Sequence, residues 1–400
     1  MEHELQTRPV IRLKPKGPAQ LVRFGAPWVF TDNLVLDRRS RALAPGRMVE
    51  LQDDQRNPLA VCAFNPNSKI GIRVLDRDMA ANIDRDWLAA KLRRALALRD
   101  DLFDAPFYRL IHAEADGMPG VIIDRFGDAA VIQPNAAWAD VLLNDLAAAL
   151  AEVTGVAHIY ANTSGRARNR EGLEGESRWL LGGVDEPVQV LMNGATYLAD
   201  LTGGQKTGLF YDQRPNHAFA ARLAKGRRVL DVFSHVGGFG LAALAAGASS
   251  ALAVDASAGA LTLAGGGATA AGLDDRFATR RGDAFDVMAA LAEEGETFGL
   301  VVCDPPAFAP SKPALEAGLR AYERVAKLGS ALVAPGGYLV LCSCSHAADL
   351  AKFRAACLRG IGKAGRQARI VHEGAAGPDH PVHPHLAESS YLKAIFLALD

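Results

Sequence analysis

Cysteine is scarce in this chain: five thiols, Cys62, Cys303, Cys342, Cys344 and Cys357, stand among 400 residues. So sparse and odd a set does not make a disulfide framework, which points to a reducing compartment. Net charge is almost absent, because 44 Lys and Arg meet 45 Asp and Glu to leave −1. That balance excludes attachment to nucleic acid through bulk positive charge, although a local basic face stays open because steering depends on where charges sit. No apolar stretch opens the chain either. Met1 to Lys16 mixes Glu2, Glu4, Arg8, Arg12, Lys14 and Lys16, so no secretory signal is expected. Between Val232 and Leu273 only Asp255 is charged, but Gly237, Gly238, Gly240, Gly247 and Gly265 to Gly267 interrupt the segment. Two buried strands around a small-residue helix fit it better than a membrane span of about 20 apolar residues. A cytoplasmic protein with no membrane partner is the expectation.

What is present describes a globular protein: 49% hydrophobic and 22% charged residues. Its length suggests two or three domains. Residues 1–80 read as a small β-rich unit, with apolar runs at Val10 to Leu13, Trp28 to Phe30, Arg47 to Leu51, Leu59 to Phe64 and Ile70 to Leu75 separated by Pro and Gly signals. Arg8, Arg12, Lys14, Lys16, Arg23, Arg38, Arg39, Arg41 and Arg47 cluster there. A small barrel with a basic rim and an exposed aromatic is a common grip on RNA, and a solvated face on a structural domain explains the same residues equally well. Residues 81–187 read as a central α+β domain, with a helix at Asp86 to Leu102 and a second basic cluster at Arg166, Arg168, Arg170 and Arg178. From 188 to 400 strands alternate with helices, which argues for a mostly parallel, doubly wound α/β sheet. Ligands on such sheets bind beyond the carboxyl ends of the strands.

The unusual residues fall there. An apolar strand from Val229 runs into Phe233-Ser234-His235-Val236-Gly237-Gly238, a turn whose glycines admit a ligand to the backbone at a helix start. The phosphate-loop pattern GxxxxGK[ST] is absent, and GxGxxG does not occur in this turn, which counts against an ATPase or a nicotinamide dehydrogenase. The next strand ends at Asp255, placed to accept hydrogen bonds from ribose hydroxyls. Gly282-Asp283-Ala284 follows, where Asp283 suits an adenine amino group, and Ser257 lies just beyond Asp255. Either acid alone also reads as a helix cap. Asp304-Pro305-Pro306-Ala307-Phe308 is a rigid strand-end loop presenting carbonyls and one carboxylate. After the last of these strands comes Cys342-Ser343-Cys344-Ser345-His346, where a thiol can be nucleophile, core residue or metal ligand. The histidines at 380, 383 and 385 give with these cysteines no common zinc spacing, so no metal is expected.

Taken together, VLDVFSHVGGFG, the strand-terminal Asp255, GDAFD, DPPAF and SCS resemble the class I S-adenosylmethionine-dependent methyltransferases. More narrowly, Gly204-Gln205-Lys206-Thr207-Gly208-Leu209-Phe210-Tyr211-Asp212-Gln213-Arg214 is similar to the GxKTGxxxDQR signature of the PUA-domain RNA methyltransferases. Pro27-Trp28-Val29-Phe30, the stretch from Glu114 to Gly120, Asp379-His380-Pro381-Val382 and Tyr391-Leu392-Lys393 extend the resemblance over essentially the whole chain. It implies a Rossmann-like transferase domain behind a PUA barrel and a central α+β domain. It also implies S-adenosyl-L-methionine as cofactor, held by Lys206, Thr207, Gln213, Asp231, Phe233, Ser234, Gly237, Gly238, Asp255, Ser257, Asp283, Ala284, Asp304 and Pro305. The implied reaction is methylation of cytosine carbon 5 in 23S ribosomal RNA, with Cys344 as nucleophile and Asp304 on the base. Pro306, Phe308, Arg23, Trp28, Arg166, Arg168 and Arg170 would contact the RNA.

Two departures stand out. The family commonly has Tyr-Thr where this chain has His235-Val236. The helix after Asp255 contains Gly265-Gly266-Gly267, each glycine costing about 0.8–1 kcal/mol against Ala, so that helix is expected to be frayed, broken or mobile. A guanine-nitrogen methyltransferase, which needs no thiol, and an RNA-binding protein with an impaired transferase domain are the rival readings. Whether the chain pairs with itself as a homodimer is open at this level.

Overall fold

In the computed structural model, residues 8–203 and 208–400 are described, except the side chain of Arg166. The chain divides into two units, Met1–Asp185 with Pro381–Ala387, and Glu186–His380 with Glu388–Asp400.

The first unit contains two sheets. Short strands β1 (Val10–Leu13), β2 (Trp28–Val29), β3 (Leu34–Val35), β4 (Arg47–Gln52), β5 (Pro58–Phe64) and β6 (Ile72–Asp76) form a barrel-like sheet in the order β2-β6-β5-β4-β1-β3. Alternation puts Ile11, Leu13, Val49 and Leu51 inside, so one face of these brief strands fills the core. The second sheet joins β7 (Phe107–His112), β8 (Val121–Phe126), β9 (Ala129–Pro134), β10 (His158–Ala161) and β11 (Arg178–Leu181) in the order β11-β10-β9-β8-β7. Helices Arg85–Asp100 and Leu143–Thr154 bury Leu88, Leu92, Leu146 and Leu150 in its core. A buried ionic cluster ties the parts of this unit. The Arg73 guanidinium on β6 lies 3.1 Å from Glu114 and 2.9 Å from Glu171, and Glu171 also accepts from Asn65 and Ser68.

The second unit begins with a hairpin, β12 (Val188–Met192) and β13 (Ala195–Ala199), turned at Asn193 and Gly194, both with positive φ. A seven-stranded sheet follows: β14 (Arg228–Val232), β15 (Ser250–Asp255), β16 (Phe277–Arg281), β17 (Phe298–Cys303), β18 (Val333–Ser343), β19 (Ala368–Gly374) and β20 (Lys393–Leu399). Its order is β16-β15-β14-β17-β18-β20-β19, parallel from β16 to β18 and antiparallel through β20 and β19. The strand order reverses between β14 and β17, which opens the crevice where such sheets bind ligands. No helix among the described residues is long and apolar enough to cross a membrane.

One expectation fails here. The helix after Asp255 runs unbroken from Ala258 to Ala270 across all three glycines. Packing outweighs propensity: a Cβ on Gly267 would lie 2.8 Å from the Thr196 carbonyl oxygen, and one on Gly266 would lie 2.6 Å from Leu198. The missing side chains let the helix settle on β13. Gly265 has open space around its Cβ position. Gly265→Ala is therefore expected to stabilise the protein by about 0.5–1 kcal/mol, whereas Gly267→Ala destabilises it; thermal melts of the two variants moving in the same direction would contradict this account.

Candidate active site

The carboxyl ends of β14, β15, β17 and β18 surround a cavity of about 530 Å³. Each wall follows from a local feature of the chain. β14 ends in Val232, and the backbone then turns through Phe233 and His235 with φ of 62° and 49° before Gly237 at 82° starts the helix Gly238–Ala245. Two non-glycine residues in the left-handed region within one turn are strained, and such strain gathers at functional sites. The turn is held by hydrogen bonds: the Gly240 amide donates to Asp231 Oδ2 at 2.8 Å, and the His235 amide donates to Asp255 Oδ2 at 2.9 Å. Gly238 is needed for space, since a Cβ there would meet the His217 ring at 2.7 Å.

Asp255 closes β15, and its other oxygen accepts from the Ser257 amide at 2.8 Å. Both Ser257 and Asp283 line the cavity and also cap helices, Ser257 through the Ala260 amide and Asp283 through those of Phe285 and Asp286. Capping leaves Asp283 free to meet a ligand as well, because a carboxylate has room for more than two donors. Asp304, Pro305 and Pro306 follow β17 and line the cavity, with the Asp304 amide donating to Val232 at 3.2 Å.

Of the five cysteines, Cys344 reaches the cavity and is partly exposed; Cys62, Cys303, Cys342 and Cys357 are buried. Burial pushes those four thiols up and keeps them protonated. The residues flanking Cys344 are anchored beneath it. Ser343 donates to the Tyr322 hydroxyl at 2.8 Å, Tyr322 and Ser345 share a 2.7 Å hydrogen bond, and the Ala309 amide donates to Ser345 at 2.9 Å. One buried hydroxyl cluster therefore fixes the Cys344 loop against the loop that carries Asp304.

The floor of the cavity is polar and unsatisfied. Asp231 Oδ1, Asp212 Oδ1, His217 Nδ1 and Ser234 Oγ are buried without a hydrogen-bond partner. Each such atom costs about 1–3 kcal/mol, so their concentration around one cavity marks a place built for a polar ligand. Oxygen acceptors prevail, which fits a ligand bearing an ammonium group and hydroxyls, as S-adenosylmethionine does. Burial holds the Asp231 carboxyl up at about 7 and the His217 imidazole down at about 3. A raised carboxyl gives stability that is complete in acid and lost as pH climbs from its unfolded value of 3.8 through about 7. The ligand-free protein should lose thermal stability over that interval, and Asp231→Asn should flatten the loss; parallel melting-temperature profiles for the two proteins would exclude Asp231 as the cause.

Gln213, Asp231, Phe233, Ser234, Gly238, Asp255, Ser257, Asp283, Ala284, Asp304, Pro305, Pro306 and Cys344 are brought together around this cavity. Lys206 and Thr207 lie outside the described residues. Gly237 shapes the turn without lining the cavity, its Cβ position facing Ala264 and Leu241. Phe308 packs with Phe233, Phe285 and Tyr322 at the edge of the core and is not among the lining residues. Arg168 needs correction as an RNA contact: it is 0% exposed and donates to Pro134 O, Asp140 and Glu174 O, so it braces the first unit. Arg23 pairs with Asp53 at 2.6 Å, Trp28 donates to Glu114 at 3.0 Å, Arg170 is exposed, and the Arg166 side chain lies outside the described residues. The exposed aromatics of the barrel are Phe24 and Phe30. Residue patterns alone gave no signal for His217, Phe239, Tyr391 or Leu392 as cavity walls.

Residues 139–395 match a family model for S-adenosylmethionine-dependent methyltransferases, and residues 11–77 match one for PUA-like domains. Over 394 residues the chain is 35% identical to the ribosomal RNA large subunit methyltransferase I of Shewanella denitrificans, covering 96% of this chain and 98% of that one. It is 34% identical to the ribosomal RNA large subunit methyltransferase of Deinococcus radiodurans, with both chains covered in full. In fold it is similar to a chain from Streptococcus mutans described as a SAM-dependent methyltransferase, with a TM-score of 0.79, 19% identity and coverage of 98% of this chain and 100% of that chain.

Proposed function

We propose, from the premise that the chain belongs to the S-adenosylmethionine-dependent methyltransferases, that it methylates carbon 5 of a cytosine in large-subunit (23S) ribosomal RNA through Cys344. The observation that carries this reading is the partly exposed Cys344 on the cavity wall, in a site where Asp304 also stands and every other thiol of the chain is buried. Carbon 5 of cytosine is too weak a nucleophile to take a methyl group unaided. When bound, S-adenosylmethionine supplies that methyl group as an electrophile on a sulfonium. The Cys344 thiolate adds to carbon 6, forming a sulfur–carbon bond and pushing the ring electrons to carbon 5, which then bonds the methyl carbon as the methyl–sulfonium bond breaks, its electron pair staying on the sulfur of the departing thioether. The carbon 5 proton leaves to a base, the ring double bond re-forms, and the thiolate is expelled. Asp304 accepts a hydrogen bond from the amino group of the ring and holds it in place. Asp231, Asp255 and Asp283 hold the cofactor, whose amine and hydroxyls match their carboxylates.

Two features support RNA as the substrate. The relatives named above are ribosomal RNA methyltransferases, and the PUA-like domain exposes Phe24 and Phe30 together with Lys14, Lys16, Arg38, Arg39, Arg41 and Arg47. In this reading residues 1–80 serve as the RNA-binding PUA-like domain, 81–187 as a central domain and 188–400 as the transferase. Base chemistry in folded RNA requires the target nucleotide to be flipped out. Mass-spectrometric mapping of ribosomal RNA from cells with and without the protein tests the assignment directly: a 5-methylcytosine lost with the protein supports it, and a lost methylguanine replaces it. Asp304→Ala should slow methyl transfer by about 10²-fold, the scale of misplacing the reacting base, measured by single-turnover assay at saturating cofactor.

A further inference from the structure

Lys393 opens β20 and sits directly opposite Ser343 in the antiparallel register with β18, one residue before Cys344. Its ammonium turns toward the Cys344 loop. Nζ donates to the carbonyl of Ser345 at 2.7 Å and to that of Ala348 at 2.8 Å, so the cation is fixed on the backbone that leaves Cys344. Half-buried charges are weakly screened, and a cation fixed beside a thiol favours its anion. We propose that Lys393 is a positioning residue that keeps Cys344 ionised, its ammonium held over the Cys344 loop by the carbonyls of Ser345 and Ala348.

The groups around Lys393 agree with that role. Burial lowers the proton affinity of its amine, while Cys344 and Asp349 both favour its charged form. Asp349 is already engaged, paired with Lys352 at 2.6 Å and capping the helix Leu350–Lys363, so it takes little of the field of Lys393. Burial, followed by the charge of Lys393, holds His346 below the usual imidazole range, so that ring brings no second cation near neutral pH. Tyr322 stays protonated because burial raises it, while Asp304 and Tyr391 line the same cavity as Cys344, and Asp304 is the group that opposes its ionisation. Ionisation moves the Cys344 proton to solvent, leaving the sulfur its electron pair for attack. The proposal extends the nucleophile reading of Cys344, yet its test does not depend on turnover.

The test is the pH dependence of iodoacetamide alkylation at Cys344 in the full-length protein, read by mass spectrometry with Cys344→Ser as the blank. The wild-type thiol is expected to titrate below the ordinary value of about 8.5. Lys393→Gln should move the titration up by about one unit, an approximately tenfold slower alkylation at pH 7, while Lys393→Arg stays near wild type. An ordinary or raised titration in the wild-type protein overturns the proposal without any variant, which covers the case of a Gln variant that does not fold. Equal shifts in the Gln and Arg variants, or no shift in Gln, also overturn it. Methyl transfer surviving in Cys344→Ser ends the nucleophile reading alone, because the alkylation profile still reports on Lys393.

Discussion

Cys344→Ser should lower methyl transfer by at least about 10³-fold, the scale of losing a covalent nucleophile, while S-adenosylmethionine binds as it does to the wild-type protein. The hydroxyl of serine is far less acidic than a thiol, so the nucleophilic anion is missing and addition to carbon 6 is lost. No other thiol can stand in, since Cys303 and Cys342 are buried in the sheet and burial keeps them protonated. The substitution should leave the loop intact, because its geometry rests on Ser343, Ser345 and Tyr322. Single-turnover transfer to an RNA substrate and calorimetric titration with the cofactor separate the two effects. A covalent adduct with RNA containing 5-fluorocytosine, seen with wild type and missing in the variant, would support the mechanism independently. Full activity in Cys344→Ser would put the rival guanine-nitrogen reading, which needs no thiol, in place of this one.

The largest loss of stability should come from Arg73→Met. The Arg73 side chain is 10% exposed and lies between Glu114 and Glu171, themselves 13% and 5% exposed. Removing one member of a buried ion pair leaves its partner uncompensated, at about 3–5 kcal/mol. Here two carboxylates lose the same cation, and Trp28 loses the guanidinium over its ring at 5.9 Å. Asn65 and Ser68 still donate to Glu171, which softens the loss without removing the charge. Urea unfolding followed by fluorescence measures it. A variant as stable as wild type would mean that water reaches these carboxylates in solution. The Arg280–Glu294 pair lies on the surface, and Arg280→Ala there should change little.

Much of this architecture is legible in the sequence because it rests on short-range rules. The apolar runs at Val229, Ala251, Leu300 and Gly337 mark β14, β15, β17 and β18 to within a few residues, since buried parallel strands need continuous apolar stretches. Asp255, Asp304 and Cys344 stand out because each breaks off an apolar run with a polar or reactive side chain, and Asp283 because it follows the glycine just after β16. Other features depend on contacts that are distant in sequence. Gly267 reads as a helix breaker until Thr196 is known to lie against it. Arg168 reads as an RNA contact until Pro134 and Asp140 close around its guanidinium. Tyr391 joins the cavity through Asp212, to which its hydroxyl donates at 2.6 Å across 179 residues. The Asn193-Gly194 hairpin is the opposite case, a strong local signal that the strand pattern of 188 to 400 does not use.

The short segment Pro381–Ala387 belongs to the first unit although it lies near the other end of the chain, where His385 Nε2 meets the Phe24 carbonyl at 2.9 Å. This has a consequence for biosynthesis. A ribosome that has passed Asp185 has made most of the first unit but must add roughly 200 further residues before its last piece emerges, about 10–40 s at ordinary elongation rates. During that interval the N-terminal unit waits incomplete while the sheet of the second unit is being assembled. Resistance of the barrel to protease should therefore mature only once Pro381–Ala387 has emerged, so the first unit finishes folding after most of the second has been made.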